Sequence, residues 1–420
     1  MSTKIIVFLP GTTGSTLVGG NNGYNPLAPV WPYGVLGQAA FNPAVAAHTL
    51  EGTLYPGVLF VSPLNPSGGY QSFVDYFTST ANFPGGQSFS FCSAQAPFSP
   101  TVPPNWGWGL PGSLSDNLLI AFPYDWRQDC TTTAQALQNM LGRLAALYGT
   151  SGYELYLVGH SMGGLVCRAY LENGLAAAAG QPPVQALITL GTPHLGAPQA
   201  LVGITGGVSV PPAFKKLISQ QNFDTMAQDF VDDSYSDSTF ELLPPPVLEQ
   251  AEAPPYTQYI QYNGTWFNLL DAHVPAEVTA AVTATLPQPN DFPVDCSEAQ
   301  AFFSTLNYAG SGALPPYYCV YGTGVQTCTG FTYQAGTPGT LQQVAGDGDV
   351  VVPTWSAEFL GRSTPVAGTY PASQVDHFQL PSDSGTQRQV ATWMGLAPAS
   401  ITVQVHRVVG AADDAAVGAA

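Results

Sequence analysis

Short apolar runs, separated by polar and glycine-rich segments, dominate the hydrophobic pattern of this chain. Five of these runs carry no charge, and most are rich in β-branched or aromatic residues, which is typical of strands buried on both faces of a sheet. They are Ile5–Pro10, Leu118–Phe122, Leu155–Val158, Ala186–Leu190 and Tyr317–Tyr321. We also expect a sixth strand near Gln342–Val344, and Ile401–Val409 alternates like an edge strand.

Helical patterns lie between the predicted strands. Residues Thr132–Tyr148 place leucine and methionine side chains on one face, at the spacing of an amphipathic helix. A second helix is predicted over Leu165–Asn173, where Gly174 can end it, and a final helix near Gly385–Met394. Strands that alternate with helices predict an α/β fold, in which helices cover both faces of a mostly parallel sheet.

Two long stretches do not fit this alternation. Residues 20–115 are rich in Gly, Pro, Asn and aromatic residues, and residues 199–310 mix glycine-rich and acidic segments with short helices. Long insertions in a compact fold usually serve as caps or lids. We therefore expect one domain over residues 1–420, with a cap insertion at about 20–115, a lid or second cap insertion at about 199–310, and a disordered tail at about 410–420.

The charge balance limits the partners of this chain. Its 420 residues include 9 Lys plus Arg against 27 Asp plus Glu, a formal net charge of -18. Because nucleic acids and anionic lipid surfaces attract basic patches, we expect no nucleic-acid partner and no electrostatic attachment to membranes. The apolar run at Ile5–Pro10 is too short for a signal peptide or a membrane span, so we expect a soluble, cytoplasmic protein, with secretion left open.

Six cysteines are spread along the chain without a C-x-x-C pair, which argues against zinc or thioredoxin-like chemistry. We expect no cofactor and no metal ion. Cys319 and Cys328 are close enough in sequence to pair across a short connection. Both the disulfide pairing and the oligomeric state stay open at this point.

The segment Gly159–Gly164 reads GHSMGG and follows the predicted strand at Leu155–Val158. A G-x-S-x-G pattern between a strand and a helix is typical of a nucleophile elbow. The serine of an elbow sits on a strained turn, so that its hydroxyl projects from the sheet, and the glycines let the strand and the helix approach. Ser161 is therefore the candidate nucleophile, and the backbone N–H of Met162, at the positive end of the next helix, is a candidate oxyanion donor.

Chain order identifies candidates for the base and the acid, because the acid and then the histidine follow the serine in hydrolases with this elbow. Of the six histidines, His377 lies in a loop before the final predicted helix, whereas the others come too early or fall in the insertion or the late strand. The segment Gly346–Pro353 offers two carboxylates, Asp347 and Asp349, at the end of a late strand. Both are candidates for the acid that fixes the imidazole tautomer. The alternative, a cation-binding acidic turn, is disfavoured because the ligands are too few.

Several separated blocks resemble the lecithin:cholesterol acyltransferase family, which includes the lysosomal phospholipase and the phospholipid:diacylglycerol acyltransferases. The P-Y-D-W-R block at Pro123–Arg127 is quite specific, and Gly159–Gly164 has the pattern of the family's elbow. The other blocks are Phe8–Ser15, Leu190–Gly196, Glu241–Pro244, Tyr321–Gly324 and Gly348–Ser356.

This resemblance implies an α/β-hydrolase fold and an acyl-enzyme mechanism on carboxylic esters, above all lipid or phospholipid acyl esters, with acyl transfer to an alcohol as a second option. The family pattern G-D-x-x-V-P matches Gly348–Pro353, which implies that Asp349 completes a triad with Ser161 and His377. By similarity, the second oxyanion donor is the backbone N–H of Thr12. These roles are implied by the resemblance and remain expectations.

The segments expected to form the cap and the lid match the family only in part, so the choice of substrate stays open. Candidates for a substrate cleft are Trp31, Trp106, Trp108 and His194. The expected partners are an ester or lipid substrate and, transiently, a lipid surface. The alternatives are a hydrolase of a non-lipid ester, lactone or polyester, and a non-catalytic binding protein on a hydrolase scaffold.

Overall fold

A seven-stranded sheet, parallel throughout, forms the centre of the structure. A computed structural model describes residues 2–19, 29–31, 54–59, 70–83, 87–93, 110–205, 237–246, 257–284, 286, 292–310, 312–336, 339–360, 362 and 366–396. The central strands are β1 (Thr3–Leu9), β5 (Phe89–Ser93), β6 (Asn117–Ala121), β7 (Tyr153–His160), β8 (Val184–Leu190), β11 (Tyr317–Thr323) and β14 (Gly368–Ser373). Their order is β14-β11-β8-β7-β1-β6-β5, so β1 and β7 lie in the middle.

Helices cover both faces of this sheet. They are α1 (Tyr70–Thr78), α2 (Cys130–Tyr148), α3 (Met162–Glu172), α4 (Gln199–Ile204), α5 (Asp237–Phe240), α6 (Ala276–Thr283), α7 (Phe292–Thr305), α8 (Thr354–Ala357) and α9 (Ser384–Trp393). Asp129 caps α2, because its carboxylate accepts the backbone N–H of Thr132 at 2.7 Å. Asp383 caps α9 in the same way through Thr386, also at 2.7 Å.

Alternation along β1 divides the core into two layers. Ile5, Val7 and Leu9 pack in the layer that contains the apolar faces of α2 and α3. Ile6 and Phe8 point to the opposite face, where they pack with α1 and α9. Successive side chains of a strand point to opposite sides, so a continuous apolar run is what a strand buried on both faces requires.

Two smaller sheets accompany the central one. A four-stranded sheet has the order β10-β9-β12-β13, with β9 at Ile260–Tyr262, β10 at Thr265–Phe267, β12 at Val325–Gln334 and β13 at Thr340–Gly348. A three-stranded sheet has the order β3-β2-β4, with β2 at Ser15–Gly19, β3 at Pro29–Trp31 and β4 at Leu54–Leu59.

The five apolar runs are confirmed as central strands, and the sixth predicted strand exists as β13. However, β13 pairs antiparallel with β12 outside the central sheet, and many of its side chains are exposed. The central sheet is completed instead by β5 and β14, which pattern analysis missed. Both lie at its edges, where burial is mixed and no continuous apolar run is needed. Helix α3 begins at Met162, three residues before the predicted start at Leu165. Residues 401–409, predicted as an edge strand, and the predicted tail lie outside the described residues.

Part of the segment predicted as a cap belongs to the main α/β unit. Helix α1 packs on the central sheet through Phe73 and Phe77, and β5 extends that sheet beside β6. The second predicted insertion contributes β9 and β10 to the four-stranded sheet. The boundaries of the cap and lid therefore remain a prediction, and residues 70–83 and 87–93 fit the main α/β unit better than a cap.

All six cysteines are buried and none is in a disulfide, so the pairing considered for Cys319 and Cys328 is not formed. These two residues lie on β11 and β12, which belong to different sheets. Among the helices that the structure describes, none is long and apolar enough to cross a membrane.

Candidate active site

Loops that follow two strands of the central sheet and one strand of the four-stranded sheet bring the predicted triad residues to one edge of the central sheet. Open α/β sheets bind their ligands at this edge. Ser161 follows β7, and His377 comes four residues after β14. Asp349 follows β13, so the chain leaves the central sheet after β11 and reaches the acid through the β12–β13 hairpin.

The turn that carries Ser161 is strained. Ser161 has φ of 53°, in the left-handed region that a residue with a side chain seldom adopts. Its backbone N–H donates to the Leu190 carbonyl at 2.9 Å, and its own carbonyl accepts the Gly164 N–H at 3.0 Å. Neighbouring strand and helix thus hold a conformation that costs about 1–3 kcal/mol, as is common at functional sites.

The elbow glycines are needed because backbone approaches them closely. A methyl group at Gly159 would lie 2.5 Å from the backbone nitrogen of Gly164. One at Gly163 would lie 2.5 Å from the carbonyl oxygens of both Leu9 and Pro10. Side chains here would therefore separate β7 from α3, and α3 from the loop that follows β1.

A buried carboxylate and a buried imidazole form the second part of the site. His377 Nδ1 lies 2.8 Å from Asp349 Oδ2, and the Asp349 carbonyl accepts the His377 N–H at 2.8 Å. Asp349 Oδ1 accepts the backbone N–H groups of Val351 at 3.0 Å and Val352 at 2.6 Å. These contacts orient one carboxylate oxygen toward the imidazole and hold the other in the turn.

Asp347, the other candidate acid, points elsewhere. It is exposed, and it accepts the Gly324 N–H at 2.5 Å and the Thr354 hydroxyl at 2.9 Å. The geometry therefore pairs His377 with Asp349.

The turn after Asp349 is also strained. Val350 has φ of 85°, which is an outlier for a β-branched residue. Its N–H donates to Thr327 Oγ1 at 2.8 Å, and the same hydroxyl donates to the Val325 carbonyl at 3.0 Å. Strand β12 thus supports the conformation of the turn that carries the acid.

Ser161 and His377 lie on adjoining loops without a hydrogen bond between their side chains in the described structure. The ring centroids of His377 and of His160, the residue before the serine, are 4.8 Å apart. Within the described part of the chain, no hydrogen bond joins the Ser161 hydroxyl to the His377 imidazole. Such contacts are often long before substrate binds and tighten in the reacting complex.

The loop after β1 packs directly on the elbow. A methyl group at Gly11 would lie 2.7 Å from Ser161 Cβ and 3.3 Å from its Oγ. The Thr12 hydroxyl lies 3.5 Å from Met162 Sδ. Both residues predicted to supply oxyanion donors therefore flank the serine, and Met162 begins α3, whose N-terminus carries partial positive charge.

Two residues of the site escaped sequence analysis. Tyr70 accepts the Gly11 N–H at 2.9 Å and lies 2.8 Å from His160 Nδ1. His160 Nε2 lies 3.0 Å from the His377 carbonyl oxygen. The available signal was the position of His160 inside the elbow motif, whereas nothing local distinguishes Tyr70.

Of the four predicted cleft residues, His194 is the one whose side chain the structure describes. His194 is 0% exposed and stacks on Phe359 with ring centroids 4.4 Å apart, so it is wrong as a cleft residue. The backbone of Trp31 forms the last residue of β3. Trp106 and Trp108 lie outside the described residues. An imidazole stacked inside the core cannot contact substrate.

His194 and Cys319 form a buried histidine–cysteine pair outside the candidate active site. Its Nε2 lies 3.6 Å from Cys319 Sγ and 3.0 Å from the Thr189 hydroxyl. Burial raises the pKa of Cys319 to about 11, so the thiol stays protonated and is a poor nucleophile. Across the residues that the structure describes, no cluster of three or more His, Cys, Asp or Glu side chains suits a metal ion.

We expect the protein to lose stability on acidification because of two buried histidines. Burial holds the pKa of His160 well below its ordinary value, and the charge of His377 lowers this pKa further. Burial does the same to the pKa of His194, which the charges of Arg168 and Arg362 also lower. Unfolded histidine titrates near 6.5, so below that pH the unfolded chain binds more protons than the folded one. Each histidine should lower the free energy of unfolding by about 1.4 kcal/mol per pH unit below about pH 6.5.

Urea unfolding at a series of pH values measures this slope. His194→Gln removes one of the two groups and should reduce the slope to about half between about pH 6.5 and 5, where carboxylates contribute little. A flat profile in that window for the unsubstituted protein would show that the two imidazoles are not buried in the neutral form.

The family model agrees with the resemblance, and one solved structure agrees with the fold. Residues 110–263 match the model of the lecithin:cholesterol acyltransferase family. The structure described as the Tle4-Tli4 complex is similar with a TM-score of 0.53 and 16% identity, over 92% of this chain and 96% of that chain. The lipase BlEst2 of Bacillus licheniformis aligns with a TM-score of 0.37 and 11% identity, over 94% of this chain and 93% of that chain. No curated protein sequence matches this chain.

Proposed function

We propose that this α/β-hydrolase, whose residues 110–263 match the lecithin:cholesterol acyltransferase family, is an ester hydrolase or acyltransferase that works through an acyl-enzyme on Ser161. In this proposal His377 is the base and Asp349 its partner. The observation that carries the assignment is the 2.8 Å contact between the buried His377 and Asp349, on a loop adjoining the strained Ser161 turn.

The proposed reaction has two halves. His377 Nε2 takes the proton of the Ser161 hydroxyl while Oγ bonds to the ester carbonyl carbon. The backbone N–H groups of Thr12 and Met162 stabilise the resulting oxyanion. The C–O bond to the alcohol then breaks, and protonated His377 returns its proton to the leaving alcohol. Water or a second alcohol repeats the sequence on the acyl-enzyme and releases the acid or a new ester.

Asp349 has a defined task in this scheme. Its Oδ2 accepts the Nδ1–H of His377, which leaves Nε2 without a proton and able to act as the base. Because Asp349 is fully buried, its negative charge also stabilises the imidazolium that forms when Ser161 is deprotonated.

We further propose that the substrates are lipid or phospholipid acyl esters, and that the protein contacts lipid surfaces transiently. Phe378, next to His377, is 58% exposed, and Val350, next to Asp349, is 43% exposed. Apolar side chains exposed beside the triad would contact an acyl chain better than a polar substrate. With a net charge of -18, the chain would favour neutral or zwitterionic lipids over anionic ones.

The decisive experiment is intact-mass measurement after treatment with a fluorophosphonate probe. The unsubstituted protein should gain one adduct, since the probe phosphonylates an activated serine, and Ser161→Ala should gain none while its circular dichroism stays unchanged. An adduct on both proteins, or on neither, would remove Ser161 from the proposed role.

A panel of p-nitrophenyl esters with increasing acyl length tests the substrate class on the same preparations. We expect kcat/KM to rise with acyl length because more apolar area is buried, by roughly 0.8 kcal/mol per methylene at most. Equal rates across the panel would contradict the lipid assignment and favour a non-lipid ester, lactone or polyester.

A further inference from the structure

We propose that Tyr70 and His160 are positioning residues, which connect the oxyanion loop after β1 to the loop that carries His377. This inference rests on the proposed function, because it concerns the same site. The two residues form one continuous chain of hydrogen bonds that runs from the Gly11 N–H to the His377 carbonyl.

The chemistry of the groups fixes the direction of every bond in the chain. The His377 carbonyl can only accept, so His160 Nε2 carries a hydrogen and donates across 3.0 Å. Neutral His160 then has an unprotonated Nδ1, which accepts the Tyr70 hydroxyl at 2.8 Å. The Tyr70 oxygen in turn accepts the Gly11 N–H at 2.9 Å. One arrangement of protons thus satisfies all four groups.

Burial keeps this arrangement in place. His160 is 3% exposed and Tyr70 is 9% exposed. Burial, and then the neighbouring charge of His377, hold the pKa of His160 well below its ordinary value, so Nδ1 remains an acceptor. Burial raises the pKa of Tyr70, so its hydroxyl remains a donor.

The chain reaches both sides of the reacting centre. At one end, Gly11 packs against Ser161 and precedes Thr12, the proposed oxyanion donor. The bond from the Gly11 N–H to Tyr70 therefore anchors the peptide unit that adjoins the one carrying the Thr12 N–H. At the other end, the His377 backbone is held beside a neutral ring rather than a cation. A neutral neighbour does not oppose the positive charge that His377 gains during the reaction.

The fold does not need the Tyr70 hydroxyl to hold α1. Phe73 and Phe77 on the same helix are 1% and 0% exposed, and Phe73 packs on Phe8 with ring centroids 4.8 Å apart. A hydroxyl kept inside this apolar environment is therefore better explained by the site than by packing.

The test compares Tyr70→Phe with Tyr76→Phe. Tyr76 lies on the same helix with 8% exposure, and its hydroxyl has no hydrogen-bond partner in the described structure, so it is a matched control. We expect Tyr70→Phe to lower kcat and the rate of fluorophosphonate labelling by about 10-fold with KM nearly unchanged, because a buried donor and a buried acceptor lose their partner. Tyr76→Phe should stay within about 2-fold of the unsubstituted protein.

Two substitutions of His160 separate the bonds at its two ring nitrogens. In His160→Gln the amide nitrogen can replace Nε2 toward His377, and the bond to Tyr70 is lost. In His160→Asn the amide oxygen can replace Nδ1 toward Tyr70. Tyr70→Phe should therefore have little further effect in the Gln variant and its full effect of about 10-fold in the Asn variant. A purely structural role predicts no such difference between the two backgrounds.

The outcomes separate this inference from the proposed function. If the unsubstituted protein labels at Ser161 and Tyr70→Phe labels equally fast, the hydrogen-bond chain has no positioning role. An equal effect of Tyr70→Phe on kcat in the His160→Gln and His160→Asn variants also overturns the positioning role. Absence of labelling in the unsubstituted protein contradicts the proposed function instead. Melting temperatures identify any variant that has lost its fold. If Tyr70→Phe is such a variant, the kinetics of His160→Gln and His160→Asn decide whether the hydrogen-bond chain has a positioning role.

Discussion

Replacing Asp349 by asparagine should lower kcat by about 10⁴-fold and leave KM close to its starting value. The turn fixes how the new amide would sit. Oδ1 accepts the N–H groups of Val351 and Val352, so the amide oxygen must take that position. The amide NH2 then faces His377 Nδ1, where Oδ2 stands now at 2.8 Å. A donor there forces the imidazole hydrogen onto Nε2, which can no longer accept the proton of Ser161.

Steady-state kinetics on a chromogenic ester measure this loss, and Asp347→Asn is the matched control. Asp347 is exposed and bonds to Gly324 and Thr354 rather than to His377, so its replacement should change kcat by no more than about 2-fold. A large loss in the Asp347 variant together with a small loss in the Asp349 variant would reverse the assignment of the acid.

Replacing Gly191 by alanine should lower kcat by about 10²-fold, because the added methyl group would displace the acid–base pair. Gly191 is the first residue after β8 and has φ of 59°. A methyl group there would lie 3.0 Å from Asp349 Oδ2, 3.1 Å from His377 Nδ1 and 2.7 Å from Leu380 Cδ1. The contact with Leu380 is too short for two carbon atoms, so that side chain must move, and the two tight contacts press directly on the acid–base pair. Misplacement of catalytic groups by up to about 1 Å gives a loss of this size.

Gly174→Ala controls for the cost to the backbone. Gly174 has φ of 77°, and a methyl group there meets no atom within 4 Å. Both substitutions therefore carry the penalty of a left-handed alanine, about 1 kcal/mol in stability, but only Gly191→Ala touches the site. If the two variants lose activity equally, backbone strain rather than displacement of the pair is responsible.

Local patterns in the sequence were sufficient for the elements that depend on neighbouring residues. Strands buried on both faces need continuous apolar runs, so β1, β6, β7, β8 and β11 were visible without coordinates. The edge strands β5 and β14 were not, because exposure on one side leaves no such run. The elbow was equally visible, since the strained turn at Ser161 and the close approach at Gly159 need a fixed short pattern.

Distances between parts of the chain that are remote in sequence had to come from the tertiary structure. Asp347 and Asp349 are two residues apart, and only the turn at Val350 directs one carboxylate toward His377 and leaves the other at the surface. Histidine is a residue type that is common in active sites, yet packing places His194 in the core.

Local periodicity and position along the chain were enough to predict the class of fold, the candidate nucleophile and the order of its partners. The carboxylate that faces the imidazole, and the residues that hold the surrounding loops, became known from the three-dimensional packing. Tyr70 and His160 are 90 residues apart, and His160 and His377 are 217 apart. Contacts over such separations depend on how the strands are ordered in the sheet, which no local pattern encodes.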